Sequence, residues 1–396
     1  MATPQGNGPS NGVQRRPEAK KRIAIACQGG GSQCAFVAGA LKTLFGRGVQ
    51  DRFKIVGLSG TSGGALTAAL AWMGLLLRAR GDRTPIEDRI IACWRDLSAQ
   101  TPREVLLDGV CTQMVRLAEH GFLPTIASSP SSMQFRLWAQ ATSLMVGRPE
   151  FTDLRALLVK HIDFQALPTL VDAESPTLLL GAGDVLEGSF KIFSSALGEI
   201  SVDAVLASAA IPNLFPAVQI DGHAYWDGIF ASNPPVISFL RRPLMGKGKI
   251  PDEIWIIQVN RTKRQGVPEA PSEISDRRND LAGNLSLQHE LQVVDMVNML
   301  LEEGALTPGF RARFGYDTTE RITVRFIRMS QEVQEALDYP SKMSRLPAHI
   351  DRLIADGELQ ATAFLSEMDG GNPAPDHPFA DDVADGTEAR RSERPS

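Results

Sequence analysis

Residues 53–64, FKIVGLSGTSGG, join an apolar run to a glycine-rich end, and this stretch restricts the fold more than any other. The apolar part is typical of a buried strand, and ALTAALAWMGLLL (65–77) is typical of a buried helix because it is too short to span a bilayer. Gly60 and Gly64 bracket Ser62 and remove Cβ atoms where strand and helix nearly touch. The sequence therefore predicts a serine on a tight bend at the carboxyl edge of a sheet.

Two interpretations of this bend remain open on these residues alone. It is either a Gly/Ser-rich connection between a strand and a helix, or a nucleophile held on a strained turn. The second interpretation gains support from the helix that follows, because free N–H groups and the helix dipole favour developing negative charge at that end.

Further buried strands are predicted along the chain, with helical patterns between most of them. They are KRIAIAC (21–27), a hairpin-like pair over 176–195, EIWIIQVN (253–260) and RITVRFIRM (321–329). Strands that alternate with helices predict an α/β fold around a mainly parallel sheet. The apolar periodicity of residues 341–365 predicts one or two amphipathic helices that close the domain.

The predicted organisation is one domain between two arms. Residues 1–19 are rich in Gly, Pro and Asn, residues 368–396 form an acidic tail, and both lack apolar periodicity, so we predict disorder there. The domain spans 20–367. It contains a helical insertion at about 85–153, after the second strand–helix unit, which is broken at ASSPSSM.

Composition excludes some partners and locations. A formal net charge of −5 over 396 residues argues against nucleic acid, which requires a basic face. The four cysteines show no CxxC or Cys/His spacing, so we predict no metal or other cofactor. Without a signal pattern at the N-terminus, we expect reduced thiols and a cytoplasmic location. The insertion helices offer an apolar face either to the core or to an acyl chain or membrane surface, so peripheral membrane contact stays open.

A second glycine run, CQGGGSQCAFVAG (27–39), also follows a strand and opens a helix. Consecutive glycines Gly29, Gly30 and Gly31 allow backbone N–H groups to converge on an anion, such as the oxyanion of an acyl-transfer reaction. A dinucleotide site fits less well because Cys34 stands where GxGxxG needs its third glycine. A P-loop fits less well because Gly-Lys-Ser/Thr is missing.

A nucleophilic serine needs a base, and histidine is the usual one. None of the six histidines follows a predicted strand in an obvious catalytic position, and His289 and His349 lie in helical patterns. A Ser-His-Asp hydrolase that uses one of these two histidines remains an alternative.

The segment AVQIDGHAYWDGIFASNPP (217–235) offers a carboxylate instead. Its first Asp-Gly pair, at Asp221, suits a tight hairpin turn. The second, at Asp227, ends a strand without being needed for a turn. A carboxylate among Trp226, Ile229 and Phe230 would be partly desolvated, which raises its proton affinity toward that of a general base. Capping of a loop is the structural alternative for Asp227.

In this order, the glycine run, GTSGG and the distal Asp-Gly with Asn-Pro-Pro resemble the patatin-like phospholipase family of lipid acyl hydrolases. The segment SVDAVLASAAIPNLFP (201–216) is similar to that family's Ala-Ser-x-Ala-x-Pro segment, and the resemblance covers roughly residues 22–365. It implies a three-layer α/β/α sandwich and a Ser-Asp dyad without histidine. It further implies Ser62 as nucleophile, Asp227 as the base that also activates the deacylating water, and an oxyanion hole lined by Gly29, Gly30 and Gly31.

The chain departs from the family pattern at three positions. Gln33 and Cys34 stand where the family usually has a basic residue and a glycine, and Ile229 follows Asp227-Gly228. The missing positive charge leaves a neutral lipid or a simpler ester open beside a phospholipid. A non-catalytic nucleotide- or lipid-binding module is the remaining alternative. Cys34 is interpreted as a small packing residue.

Overall fold

The computed structural model describes residues 20–123, 129–212, 214–264 and 266–370. In these residues eight strands form one sheet: β1 (Arg22–Cys27), β2 (Lys54–Gly60), β3 (Thr177–Asp184), β4 (Ser189–Ser194), β5 (Val218–Ile220), β6 (His223–Asp227), β7 (Glu253–Gln258) and β8 (Thr323–Arg328). Each predicted strand is present, and the hairpin-like pair is β3 with β4. The predicted N-terminal arm, residues 371–396 of the predicted tail and residues 124–128 lie outside the described residues.

The sheet is mainly parallel, as the alternation of strands and helices predicts. Its hydrogen-bonded path is β5-β6-β3-β2-β1-β7-β8. In this path β2 and β6 pair with successive parts of one edge of β3, and β4 pairs with the opposite edge. The strands β3, β2, β1, β7 and β8 are parallel to one another, whereas β4, β5 and β6 pair in antiparallel fashion. The carboxyl ends of the parallel strands therefore share one edge of the sheet.

Helices fill the connections between these strands. They are α1 (Ala35–Gly46), α2 (Val49–Arg52), α3 (Gly63–Ala79), α4 (Ile86–Leu97), α5 (Pro102–Glu119), α6 (Met133–Val146), α7 (Pro149–Thr152), α8 (Leu154–His161), α9 (Leu167–Leu170), α10 (Val202–Ser208), α11 (Arg242–Met245), α12 (Pro271–Glu302), α13 (Pro308–Phe314), α14 (Gln331–Ala336) and α15 (Pro347–Asp369). The helical insertion corresponds to α4–α7. No helix in the described ranges is both long and apolar enough to cross a membrane.

Helices cover both faces of the sheet, as a three-layer sandwich requires. Ile23 and Ile25 of β1 point to the face packed by α1, α3, α4 and α15. Ala24 and Ala26 point to the opposite face, where α12 supplies apolar side chains. Alternate residues of one buried strand thus serve two separate cores.

The first and last long helices cross at very short range because each has a glycine at the contact. A Cβ at Gly39 of α1 would lie 2.0 Å from the Ile354 carbonyl oxygen, and one at Gly357 of α15 would lie 2.2 Å from the Phe36 carbonyl oxygen. Only glycine fits at either position. The C-terminal helix is thereby fixed to the helix that follows the first glycine run.

Replacing Gly357 with alanine is expected to lower the free energy of unfolding by about 2 kcal/mol, because the new methyl group forces two helix backbones apart. Denaturant unfolding followed by circular dichroism measures the change. Gly109→Ala on α5 is the matched control, since nothing lies within 4 Å of a Cβ there. Alanine should be neutral or stabilising at Gly109 through helix propensity, and equal effects at the two positions would contradict the close crossing.

Candidate active site

The arrangement around β3 explains how two distant residues come together. The same edge of β3 pairs first with β2, where Gly60 lies opposite Leu180, and then with β6, where Asp227 lies opposite Ala182. The two strands run toward each other along that edge and end two β3 residues apart, which is about 7 Å. The bend that follows β2 therefore meets the end of β6.

Ser62 occupies the bend between β2 and α3 in a conformation that side chains rarely adopt. Its φ and ψ are 58° and −130°, and it immediately precedes the helix. A Cβ at Gly60 would lie 2.5 Å from the Gly64 carbonyl oxygen, and one at Gly64 would lie 2.3 Å from the Cys27 carbonyl oxygen. The flanking glycines thus permit a strained backbone at a serine, which is a feature of functional sites.

Asp227 is buried beside Ser62 with half of its carboxylate unused. It is 1% exposed; Oδ1 accepts the Ile229 N–H at 2.9 Å, and Oδ2 has no hydrogen-bond partner among the described residues. Burial raises the pKa of Asp227 to about 7, against the smaller opposing effects of the Ser62 hydroxyl, the Ile229 N–H and the Lys342 cation. The Ser62 hydroxyl is close enough to favour the ionised carboxylate, although the pair does not form a hydrogen bond of normal geometry.

The source of this burial differs from the sequence-based interpretation. Of the three predicted neighbours, Trp226 and Phe230 are 39% and 67% exposed and do not enclose Asp227, whereas Ile229 is half-buried. Successive residues of a strand point to opposite faces, and Trp226 therefore faces away from its neighbour. The residue after Asp227 packs closely on β3, since a Cβ at Gly228 would lie 2.3 Å from the Gly181 carbonyl oxygen.

The end of α10 holds the serine and the aspartate by their backbones. The Ser208 carbonyl oxygen accepts the Ser62 N–H at 3.0 Å, and the Ala210 carbonyl oxygen accepts the Asp227 N–H at 2.9 Å. The Ser208 hydroxyl donates to the Gly181 carbonyl at 2.7 Å. The Ala-Ser-x-Ala segment thus fixes both residues to one short piece of chain and to β3.

The three glycines after β1 have different roles in the structure. The Gly29 N–H donates to Asn233 Oδ1 at 2.6 Å, so it is already engaged. The Gly30 N–H is directed at the Cys34 sulfur. The Gly31 N–H finds no acceptor in the described part of the chain, and Gly31 has a φ of +60°. The same holds for the N–H of Gly63, directly after Ser62.

Cys34 lies in the core beside this loop. It is fully buried, its thiol donates to the Gln28 carbonyl at 3.3 Å, and its Cβ lies 2.9 Å from the position of a Cβ at Gly63. Burial raises the pKa of the Cys34 thiol to about 12. A thiol with such a pKa is a poor nucleophile near neutral pH.

A buried amide network supports the glycine loop, and sequence patterns did not indicate it. Gln28 Oε1 accepts the N–H groups of Val259 and Asn260, each at 2.8 Å, and Gln28 Nε2 donates to Asn284 Oδ1 at 3.0 Å. Asn260 Nδ2 donates to the Gly29 carbonyl at 3.1 Å. The available signal was a polar residue close to the end of an apolar strand, Gln28 directly after β1 and Asn260 two residues after β7, but the two strands are far apart in the sequence.

The loop after Asp227 is anchored from two sides. Glu290 of α12 accepts hydrogen bonds from the Ser232 hydroxyl and from the Ile237 N–H, the latter at 2.8 Å. The Thr61 hydroxyl donates to the Ser232 carbonyl at 2.6 Å. This loop carries Asn233, so the residue that binds the Gly29 N–H is itself tied to the serine bend.

The two histidines of the alternative triad are elsewhere. His289 is exposed on α12, and His349 is on the first turn of α15 with a buried Nε2 that has no partner in the described residues. Neither forms a hydrogen bond with Ser62 or Asp227 across the described ranges. Burial also lowers the pKa of His349.

The comparison with protein families places the chain among lipid ester hydrolases. The model of the patatin-like phospholipase family matches residues 25–240, which is more than half of the chain. The chain therefore belongs to the patatin-like phospholipase family. No curated protein gives a significant match.

Two solved structures of ExoU with SpcU, from the type III secretion system of Pseudomonas aeruginosa, are similar at low identity. The first is 16% identical with a TM-score of 0.25, and it covers 79% of this chain and 66%, just under two thirds, of the ExoU chain. The second is 15% identical with a TM-score of 0.26, and it covers 90% and 73%. These scores are too low to support an inference about this chain.

Proposed function

We propose that the chain hydrolyses carboxylic esters of lipids with Ser62 as nucleophile and Asp227 as base. Asp227 takes the Ser62 proton as the hydroxyl oxygen attacks the ester carbonyl carbon, and the proton then goes to the leaving alkoxide. Water, activated by the same carboxylate, hydrolyses the acyl-enzyme. The observation that carries the proposal is the meeting of the β2 and β6 ends, which brings a buried carboxylate with a free oxygen beside a strained serine.

The tetrahedral oxyanion is assigned to the N–H groups of Gly31 and Gly63. These two amides lack other acceptors in the described residues, whereas the Gly29 N–H is engaged by Asn233 and the Gly30 N–H by the Cys34 sulfur. Gly29 and Gly30 are therefore given a structural role in the hole. Preorganised donors of this kind contribute several kcal/mol to stabilisation of the transition state.

The substrate class is tested with short p-nitrophenyl esters, monoacylglycerols and phospholipid vesicles, with the Ser62→Ala protein as the blank. We expect hydrolysis that depends on Ser62, and a fluorophosphonate probe should label Ser62 in the wild-type protein. Hydrolysis that requires a histidine, or a protein that neither labels nor hydrolyses any of these esters, would contradict the proposal.

Exposed apolar side chains on α5 and α6 support a substrate that lies in a lipid surface rather than free in solution. No residue of α6 is buried. The exposed set is Val105, Leu106, Val110, Met114, Leu117, Met133, Leu137, Trp138, Leu144 and Met145. An apolar face of this extent on two neighbouring helices is typical of a membrane or partner contact. We propose that this face contacts lipid.

The double variant Leu106→Asp/Leu144→Asp is expected to hydrolyse vesicle lipid about tenfold more slowly and short soluble esters at the wild-type rate. The two side chains are 68% and 80% exposed, so the fold should tolerate the change, while the added charges oppose contact with lipid. Leu359→Asp on α15, which is 65% exposed, is the control. Equal loss on both kinds of substrate would contradict a role for this face in lipid contact.

A further inference from the structure

A short segment between α14 and α15 is docked on the glycine loop. The segment is the 3₁₀ turn Pro340–Lys342. The Ser32 hydroxyl donates to the Ser341 carbonyl at 2.9 Å, and Gln33 Nε2 donates to the Ser341 hydroxyl at 2.9 Å. A Cβ at Gly31 would lie 2.3 Å from the Lys342 carbonyl oxygen. The loop and the segment are therefore in direct backbone contact.

The Lys342 side chain is linked to the same loop through Asn260. Its Nζ donates to Asn260 Oδ1 at 2.7 Å, and Asn260 Nδ2 donates to the Gly29 carbonyl at 3.1 Å. One amide side chain thus connects a cation to the first residue of the glycine run. Both hydrogen bonds of this series, from Lys342 to Asn260 and from Asn260 to Gly29, have good length. A shift of Lys342 would therefore shift the loop.

The surroundings of Lys342 combine burial with negative charge. Lys342 as a whole is half-buried, but its amine lies deep enough for burial to lower its pKa. Asp280 and Asp276 of α12 oppose that effect, as do Cys34 and Asp227.

The neighbouring acids are also balanced by a second cation. Arg264 faces the same two aspartates, with its Nη2 3.5 Å from Asp280 and 3.9 Å from Asp276.

The effect of Lys342 extends to the proposed base, because the Lys342 cation lowers the pKa of Asp227. Lys342 is thus electrostatically coupled to the dyad.

The residue at position 33 is uncharged, so the positive charge near the glycine loop comes from Lys342. The chain has the uncharged Gln33 where the resembling family usually has a basic residue, and the Gln33 side chain binds Ser341 of the segment that carries Lys342. Lys342 lies outside the region matched by the family model, which ends at residue 240. A positive charge therefore reaches the glycine loop from a different part of the chain.

We propose that Lys342 is a positioning residue for ester hydrolysis, which holds the Gly29 carbonyl through Asn260 and places a positive charge beside the glycine loop. The inference rests on the proposed function. Negative charge develops on the carbonyl oxygen during attack by Ser62, and a fixed cation beside the glycine loop stabilises that charge more than it stabilises the neutral ester. Its removal should therefore lower kcat more than it raises KM.

The test measures kcat/KM against pH for the wild-type protein and for Lys342→Met. We expect kcat to fall about tenfold to a hundredfold. We also expect the acid limb of the pH profile to move up by roughly half a unit or more, because loss of a nearby cation disfavours ionised Asp227. Lys342→Arg keeps the charge and should leave the acid limb in place. Should Lys342→Met fail to fold, Lys342→Gln carries the same measurement, since it is neutral and can still bind Asn260.

Lys249→Met is the matched control, because the Lys249 amine is also partly buried and donates to the Ser175 carbonyl at 2.6 Å, away from the site. It should not move the acid limb. A folded neutral variant at Lys342 with an unshifted acid limb would overturn the inference while leaving the dyad intact. The rate of fluorophosphonate labelling at Ser62 reports the same limb without a turnover substrate. Absence of any reaction that depends on Ser62 in the wild-type protein would overturn the proposed function, and the inference with it.

Discussion

Ser62→Ala is expected to abolish ester hydrolysis, with kcat lower by at least ~10⁴-fold, because the neighbouring hydroxyl on the bend, that of Thr61, is engaged by the Ser232 carbonyl. The substitution removes one oxygen and leaves the backbone strain at position 62 in place. Unfolding measurements should therefore show a normally folded protein. The measurement is initial rate on a short p-nitrophenyl ester, together with loss of fluorophosphonate labelling.

Ser59→Ala is the matched control for that experiment. Ser59 lies on β2, three residues before Ser62, and its buried hydroxyl has no hydrogen-bond partner in the described residues. Removing it should leave the rate within about twofold of wild type, since an unpaired buried hydroxyl contributes little to stability. Substantial residual activity in Ser62→Ala would show that another group is the nucleophile.

Asp227→Asn is expected to lower kcat by a comparable factor, because an amide of the same shape cannot accept the serine proton. In the wild-type protein, kcat/KM should fall as the pH falls below about 7, where the carboxylate becomes protonated. Asp221→Asn is the control, since Asp221 belongs to the other Asp-Gly pair, has a φ of 51° and sits in a turn where asparagine is well tolerated. Activity that persists in Asp227→Asn would remove Asp227 from the mechanism.

Asp227→Asn should also raise the free energy of unfolding at high pH and leave it unchanged at low pH. Burial raises the pKa of Asp227 from 3.8 to about 7, so the folded state binds this proton more tightly than the unfolded state does. The buried charge therefore costs stability above about pH 7, and the cost disappears as the pH falls toward 4. Asp227→Asn should be more stable than wild type at about pH 8 and equal to it near pH 4, as measured by thermal unfolding at both values.

The local sequence predicted much of the fold because its signals act over short distances. Apolar runs that end in glycine give β1 and β2 at their observed places, and the Asp-Gly pair near residue 221 gives the β5–β6 hairpin. The helix after Ser62 follows from a long apolar run. Each of these features depends on neighbours within a few residues, which is the range that periodicity and turn chemistry describe.

What the sequence could not predict depends on contacts between distant segments. The Gly29 N–H is engaged by Asn233, and the loop is supported by Asn260 and Lys342, which arrive from later parts of the chain. Strand alternation could have placed Trp226 and Asp227 on opposite faces, but the adjacent aromatic residues suggested a shared pocket. The closeness of α1 and α15 depends on two glycines that lie far apart in the sequence and that no local pattern connects.

The position of β1 in the middle of the sheet has a consequence for shortened forms of the protein. β1 pairs with β2 on one edge and with β7 on the other, and the family match ends before β7 begins. A polypeptide cut at residue 240 would turn β1 from an interior strand into an edge strand with a row of unpaired backbone groups, open to pairing with other copies. We therefore expect such a fragment to aggregate, and the smallest autonomous folding unit to include the strands beyond the family boundary.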